Sequence, residues 1–243
     1  MTPSRPSVAG RFLIESIVIV ASILAAFALD RWWDERRERQ EERATLEALE
    51  TDFRAARERI LFYRHLQARI LHSVGAVGDS MGVAWNGGRR AITVADTALG
   101  MAYISPTTSV TLGTLDGVVA SGRLGIFRNP RLRSALASWG SNLAELAEEE
   151  EDARDLVHGD MDRVLRARMA TQGLWNTGGG LLVGSLDPTE LSGGRRLPVD
   201  TEVLGVFQLR RNLLIRALDE FDPLLEEVDQ ILALIGESLG AAS

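Results

Sequence analysis

From Phe12 to Val74 the chain contains neither glycine nor proline. Nothing in that stretch breaks the helical hydrogen-bond ladder, so it reads as one helix, roughly 90 Å long at 1.5 Å per residue. Its two ends differ in chemistry. Residues 12–29, FLIESIVIVASILAAFAL, carry a single charge, Glu15, over a length that just crosses a hydrocarbon core. The continuation, DRWWDERRERQEERATLEALETDF, is charged and amphipathic. Trp32 and Trp33, beside Asp30 and Arg31, stand where an interfacial aromatic belt belongs. The expectation is a short tail over 1–11, a transmembrane helix with its interface over 12–33, and an extramembrane domain over 34–243.

A secretory signal is the rival reading. Arg5 and Arg11 precede the apolar run, and Ala26-Phe27-Ala28 resembles a small-x-small cleavage site, which would leave a mature chain starting at Leu29. The tryptophan pair directly after the run favours a retained anchor. For orientation, Arg31, Arg36, Arg37, Arg39 and Arg43 outnumber Arg5 and Arg11, which favours a cytoplasmic domain, although a short basic leader more usually stays inside.

Beyond the span, Leu46, Leu49, Phe53, Ala56, Ile60, Tyr63, Ile70 and Val74 alternate in steps of three and four, with Gln67 filling one slot. This is a core-facing stripe. The opposite face pairs charges four apart, as in Glu35–Arg39 and Arg43–Glu47. The rest of the chain predicts an all-α fold in which the long helix packs into an antiparallel bundle. Residues 75–92, rich in glycine, read as a connection, followed by short helices over Thr93–Ile104 and Thr107–Ser121. Asn129-Pro130 pairs an N-cap with proline at the first helical position, opening a helix to about Met169 with kinks at Gly140 and Gly159. Residues 173–198 form a Gly/Pro-rich excursion, with a small hairpin expected around LLVGSL. Two helices, Asp200–Leu218 and Asp222–Leu239, close the chain.

Composition removes several classes of chemistry. The net charge of −7 argues against a general nucleic-acid binder. All 27 lysine-plus-arginine positions are arginine, so a Schiff-base or phosphate-loop lysine is excluded, and the absence of cysteine excludes disulfides and thiolate sites.

Two segments carry a likeness to known sequences. One is the span with an early glutamate (Glu15) running into Trp33 and Glu35; the other is TLDGVVASGRLGIFRNPRLRSAL, residues 114–136, where Ser121, Gly122, Leu124, Asn129 and Leu132 follow the form L-x-x-S-G-x-L-x-x-I-x-N-x-x-L and Leu115 and Ile126 match its other apolar positions with shifted spacing. Together they resemble a functionally uncharacterised family of bacterial single-pass membrane proteins. Asp30-Arg31-Trp32-Trp33-Asp34 departs from that family's asparagine-rich junction. The resemblance implies a membrane-anchored helical domain and supplies no activity. The second segment also has a purely structural reading: Gly122 ends one helix, Leu124 and Ile126 cover the core, and Asn129 caps the next helix.

The titratable clusters read as structural. Glu148–Asp152 projects carboxylates around a helix and reads as a solvated face. Asp155, His158, Asp160 and Asp162 form one histidine–carboxylate cluster, but no glutamate stands three residues before any histidine, so the Glu-x-x-His pairs of di-iron bundles are missing. His65 and His72 share a face, where haem ligation competes with a plain boundary position. Gly178-Gly179-Gly180 lacks the Gly-Lys-Ser/Thr ending of a phosphate loop, and no Gly-x-Ser-x-Gly occurs. No catalytic, cofactor or metal residues are therefore assigned. Within the span, Glu15 reaches Arg11 or a buried contact with another subunit, and Ser22 and Ala26, four apart, allow close helix packing. Glu15, Ser22, Ala26, Trp32 and Trp33 are the expected membrane and partner contacts. The functional expectation is a non-catalytic accessory subunit of the bacterial inner membrane. It would meet lipid and other membrane subunits, as in a respiratory or photosynthetic complex, and the alternative is an anchored ligand or signal sensor.

Overall fold

The computed structural model describes residues 8–182 and 193–241, with side chains from 17 to 181 and from 193 to 240. The described residues are all-helical apart from one small antiparallel sheet. Helix α1, Val8–Asn86, spans 79 residues, about 120 Å at 1.5 Å per residue. It overruns the connection expected from residue 75. Gly75, Gly78 and Gly82 each cost about 1 kcal/mol relative to alanine in a helix. Val74, Val77, Met81 and Ala84 nevertheless continue the buried stripe, and that packing outweighs local propensity. The helix closes beyond Asn86, where Gly88 takes φ +73° and the Arg89 amide donates to the Ala84 carbonyl at 2.8 Å.

Strand β1, Ala91–Ala95, replaces the first part of the expected helix at 93–104, and α2, Asp96–Ala102, is what remains of it. Residues 103–112 carry no helix, so α3, Gly113–Ala120, starts later than the expected Thr107. Gly122 then takes φ +67°, a 3₁₀ turn spans Arg123–Ile126, and Phe127 is fully buried. Asn129 caps α4, Pro130–Ser138, accepting from the amides of Arg131 at 3.0 Å and Leu132 at 3.3 Å. The long helix expected over 130–169 is divided. It breaks at Trp139 before α5, Gly140–Leu156, and passes through a π-helical turn, Val157–Met161, before α6, Asp162–Arg166. Both interruptions coincide with the two glycines that weaken it, Gly140 and Gly159.

The excursion at 173–198 contains regular structure. Leu174–Leu182 is α7 and Gly194–Pro198 is β2, which pairs with β1 in the register Ala91↔Pro198 to Ala95↔Gly194. Of the hairpin expected around residues 181–186, Leu181 and Leu182 end α7 instead, and 183–186 lie outside the described residues. Helix α7 lies against α2 with no room for side chains: a Cβ on Gly178 would stand 2.3 Å from the Gly100 carbonyl oxygen. Within the glycine run it is Gly178 that permits this close approach.

Asp200 caps α8, Thr201–Asp219, through the amides of Glu202 and Val203, and only Glu220 separates α8 from α9, Phe221–Ala241. Helices α8 and α9 run back along α1. Arg57 pairs with Asp229, Arg64 with Asp222 and Asp79 with Arg211, and the same antiparallel course continues into the β1–β2 pairing. The core is two clusters along this axis. A proximal one joins Leu46–Ile60 of α1 to α3, α4 and α9, and includes Phe53 stacked edge-on against Trp139 with centroids 5.1 Å apart. A distal one joins Leu66–Ala84 to α2, α6, α7, α8 and the sheet.

Candidate functional site

Before Glu41 no other element pairs with α1 through an ion pair or core contact among the described residues, so its first part stands away from the bundle. From Ile17 to Leu29 the large apolar side chains are 50–66% exposed on every face. A helix apolar all round its axis needs a nonpolar surrounding. Residues 12–16, with Glu15, have side chains outside the described residues. Among the described residues no helix is long and apolar enough to cross a membrane. Ile17–Leu29 amounts to about 20 Å, against the roughly 30 Å of a hydrocarbon core, before Asp30, Arg31 and Asp34 arrive.

Of the expected contact residues, Ser22 donates its hydroxyl to the Val18 carbonyl at 2.8 Å, which satisfies it within the helix. Ala26 lies one turn above it, exposed. Trp32 and Trp33 are both exposed, edge to face at 5.1 Å, and the Arg36 guanidinium lies 5.5 Å from the Trp32 ring centroid. The arginines that follow are mostly neutralised on the helix itself, through Arg31–Glu35, Arg37–Glu41, Arg39–Glu35 and Arg43–Glu47.

The stalk enters the bundle at a polar collar. Glu42, 9% exposed, accepts the Arg128 amide at 2.7 Å, and Glu41 pairs with Arg123 at 2.6 Å. Both arginines belong to the 114–136 segment, and Arg133 in turn donates to the Phe127 carbonyl at 2.6 Å. The Gly122–Asn129 turn is thereby locked onto α1 where the rod leaves the domain.

Higher up, two charged groups are buried. The Glu150 carboxylate, expected on a solvated face, is 2% exposed. It accepts the Thr108 amide at 2.7 Å, the Thr108 hydroxyl at 2.6 Å and the Gln67 amide group at 3.3 Å. Burial pushes its pKa above the ordinary value, against the opposing pull of those donors. Arg210, fully buried, donates to the carbonyls of Ala153 at 3.1 Å and Ile104 at 2.5 Å, and desolvation lowers its pKa to about 10. Together they pin both ends of the irregular 104–108 segment, whose backbone groups no helix satisfies. Both positions were legible as core slots: Leu146, Glu150 and Ala153 on α5, and Phe207, Arg210 and Leu214 on α8, keep the three-and-four step.

The histidine–carboxylate cluster does not converge. Asp160 pairs with Arg163 and Asp162 with Arg166, while His158 packs on Trp175 with ring centroids 4.9 Å apart. His65 and His72 are exposed, and no group of three or more histidine or carboxylate side chains could hold a metal among the described residues.

No family model, no curated protein and no solved structure matches this chain.

Proposed function

We propose that the protein is a non-catalytic, membrane-anchored accessory subunit whose helical domain is held above a bilayer by α1 and engages other subunits of a bacterial inner-membrane complex. The observation that carries this reading is the bare apolar stretch Ile17–Leu29, exposed all round and followed directly by Trp32 and Trp33. Burying that surface in lipid is worth roughly 25 cal/mol per Å² of apolar area, a strong drive for a stretch that no other described residue covers. Phe12, Leu13 and Ile14 extend the run in sequence to the length a span needs. The collar at Glu41, Glu42, Arg123 and Arg128 supports the same reading, because it fixes the domain to the stalk as one body.

The test is fractionation of the full chain in bacterial membranes. The expected result is sedimentation with the membranes, resistance to high salt and alkaline carbonate, release only by detergent, and a co-purifying partner on gentle extraction. A water-soluble chain beginning near Leu29, or a detergent-extracted monomer without partner, would overturn it.

A further inference from the structure

Most of the described arginines already have an acceptor. Arg57, Arg168 and Arg195 pair with carboxylates, and Arg133 and Arg210 donate to backbone carbonyls. Arg89, Arg90 and Arg196 are exposed and have no hydrogen-bond or ion-pair partner among the described residues, yet all three line one groove. That groove, about 980 Å³, lies at the distal end of the domain between the last turns of α1 and strand β1.

Local structure gathers the three charges. Gly88, at φ +73°, turns the chain out of α1, so Arg89 and Arg90 lead directly into β1. Successive side chains on a strand face opposite ways. On β2, Arg195 therefore reaches Asp96 at 2.7 Å, whereas Arg196 shares the exposed face with Thr93, its partner across the pair. The Arg90 guanidinium lies 4.4 Å from the Trp85 ring centroid, a contact that steadies the group and leaves its N–H edge free for a planar acceptor. Asp79, the carboxylate on the groove wall, is turned to Arg211 at 3.4 Å and does not offset the trio. Val83, 66% exposed, and Ile92 add an apolar wall beside the basic rim.

We infer that this groove docks an acidic, extended peptide segment of a partner protein, with its carboxylates on Arg89, Arg90 and Arg196 and its apolar side chains against Val83. Guanidinium forks match carboxylates in bidentate geometry. An extended segment alternates its side chains, so acidic residues two apart meet the rim while those between them meet the apolar wall. A nucleic acid needs a basic surface that follows its backbone, and a local patch on a chain of net charge −7 is not one. Lipid headgroups around the stalk are out of reach, because α1 from Leu29 to Asn86 amounts to about 85 Å. The peptide's owner is one of the contacts that the accessory-subunit reading calls for, and the assignment rests on that reading.

The experiment is calorimetric titration of the full chain in detergent with the acetylated, amidated hexapeptide Asp-Leu-Asp-Leu-Asp-Leu. At about 50 mM salt a Kd below about 1 mM is expected, weakened about fivefold or more at about 500 mM salt. Arg89→Gln, Arg90→Gln and Arg196→Gln combined should weaken binding about tenfold or more while the helical circular dichroism stays unchanged. Val83→Ser should weaken it about threefold, and Arg131→Gln, at an exposed position on α4 away from the groove, should leave it unchanged. No saturable binding up to about 5 mM, equal binding of the Lys-Leu counterpart or of hexathymidylate, wild-type affinity in the triple variant, or an equal loss in Arg131→Gln would overturn the proposal. Each of those results leaves sedimentation of the chain with membranes as expected, so failure of the groove and failure of the anchor are told apart.

Discussion

Helix α1 places the same kinds of residue in two different settings. In its upper part the apolar side chains keep to one stripe and are sealed against α8, α9 and the short helices: Leu49, Phe53, Ile60 and Ile70 are fully buried. In its lower part Ile17–Leu29 circles the axis and no other described residue covers it. The backbone is continuous and equally helical through both. Helix formation is thus a local property, and what the helix is for depends on the angular spread of its apolar residues, because a stripe asks for a protein neighbour and a full girdle asks for a medium.

The sharpest way to break this contrast is to truncate one aromatic in each part. Phe53→Ala removes a fully buried ring stacked on Trp139 and should cost about 3–5 kcal/mol of domain stability, read by denaturant unfolding in detergent. Phe27→Ala, on the exposed stalk, should change that stability by less than about 0.5 kcal/mol. Equal losses would mean that the stalk packs on the domain.

The converse substitution addresses the medium. Ile23→Arg places a charge in the girdle and should cost about 2.5–3.5 kcal/mol of membrane insertion, seen as a shift from the membrane pellet to the soluble fraction, with the bundle's unfolding midpoint unchanged. Retained sedimentation would remove lipid as the cover for this stretch.

Within the distal part, Gly178→Ala drives a methyl group into the Gly100 backbone and should cost about 1–3 kcal/mol, whereas alanine at Gly179, which has open space, should be neutral or slightly stabilising. The two substitutions separate packing from propensity on one helix.

The smallest effect is a pH dependence. The Glu150 carboxyl is held above its ordinary value of 4.5 by burial, so the folded state keeps a proton that the unfolded state has lost. Stability contributed by this group is therefore greatest at and below that ordinary value and declines as pH rises through the raised one. Glu150→Gln cannot titrate and should remove that component of the slope, measured as thermal unfolding across pH 4–8.

Much of this architecture was legible in the sequence. The long helix with its stripe, the Asn129 cap and the Gly122 turn are read from neighbours within four residues and appear in the structure, the helix running on to Asn86. The misreadings share one cause. Gly75–Gly82 stay helical because Val77 and Met81 are wanted in the distal core, and residues 91–95 become a strand because 194–198 lie beside them, about a hundred residues away in the chain. Glu150 was read by its charge although its slot in the stripe marked it for burial. The sequence by itself determined where helices can run and which part of α1 carries apolar residues all round its axis, since those patterns are local. Only the tertiary structure decided which glycines bend, which charges are buried and that Arg89, Arg90 and Arg196 line one groove, because these depend on contacts between distant segments that no local pattern encodes.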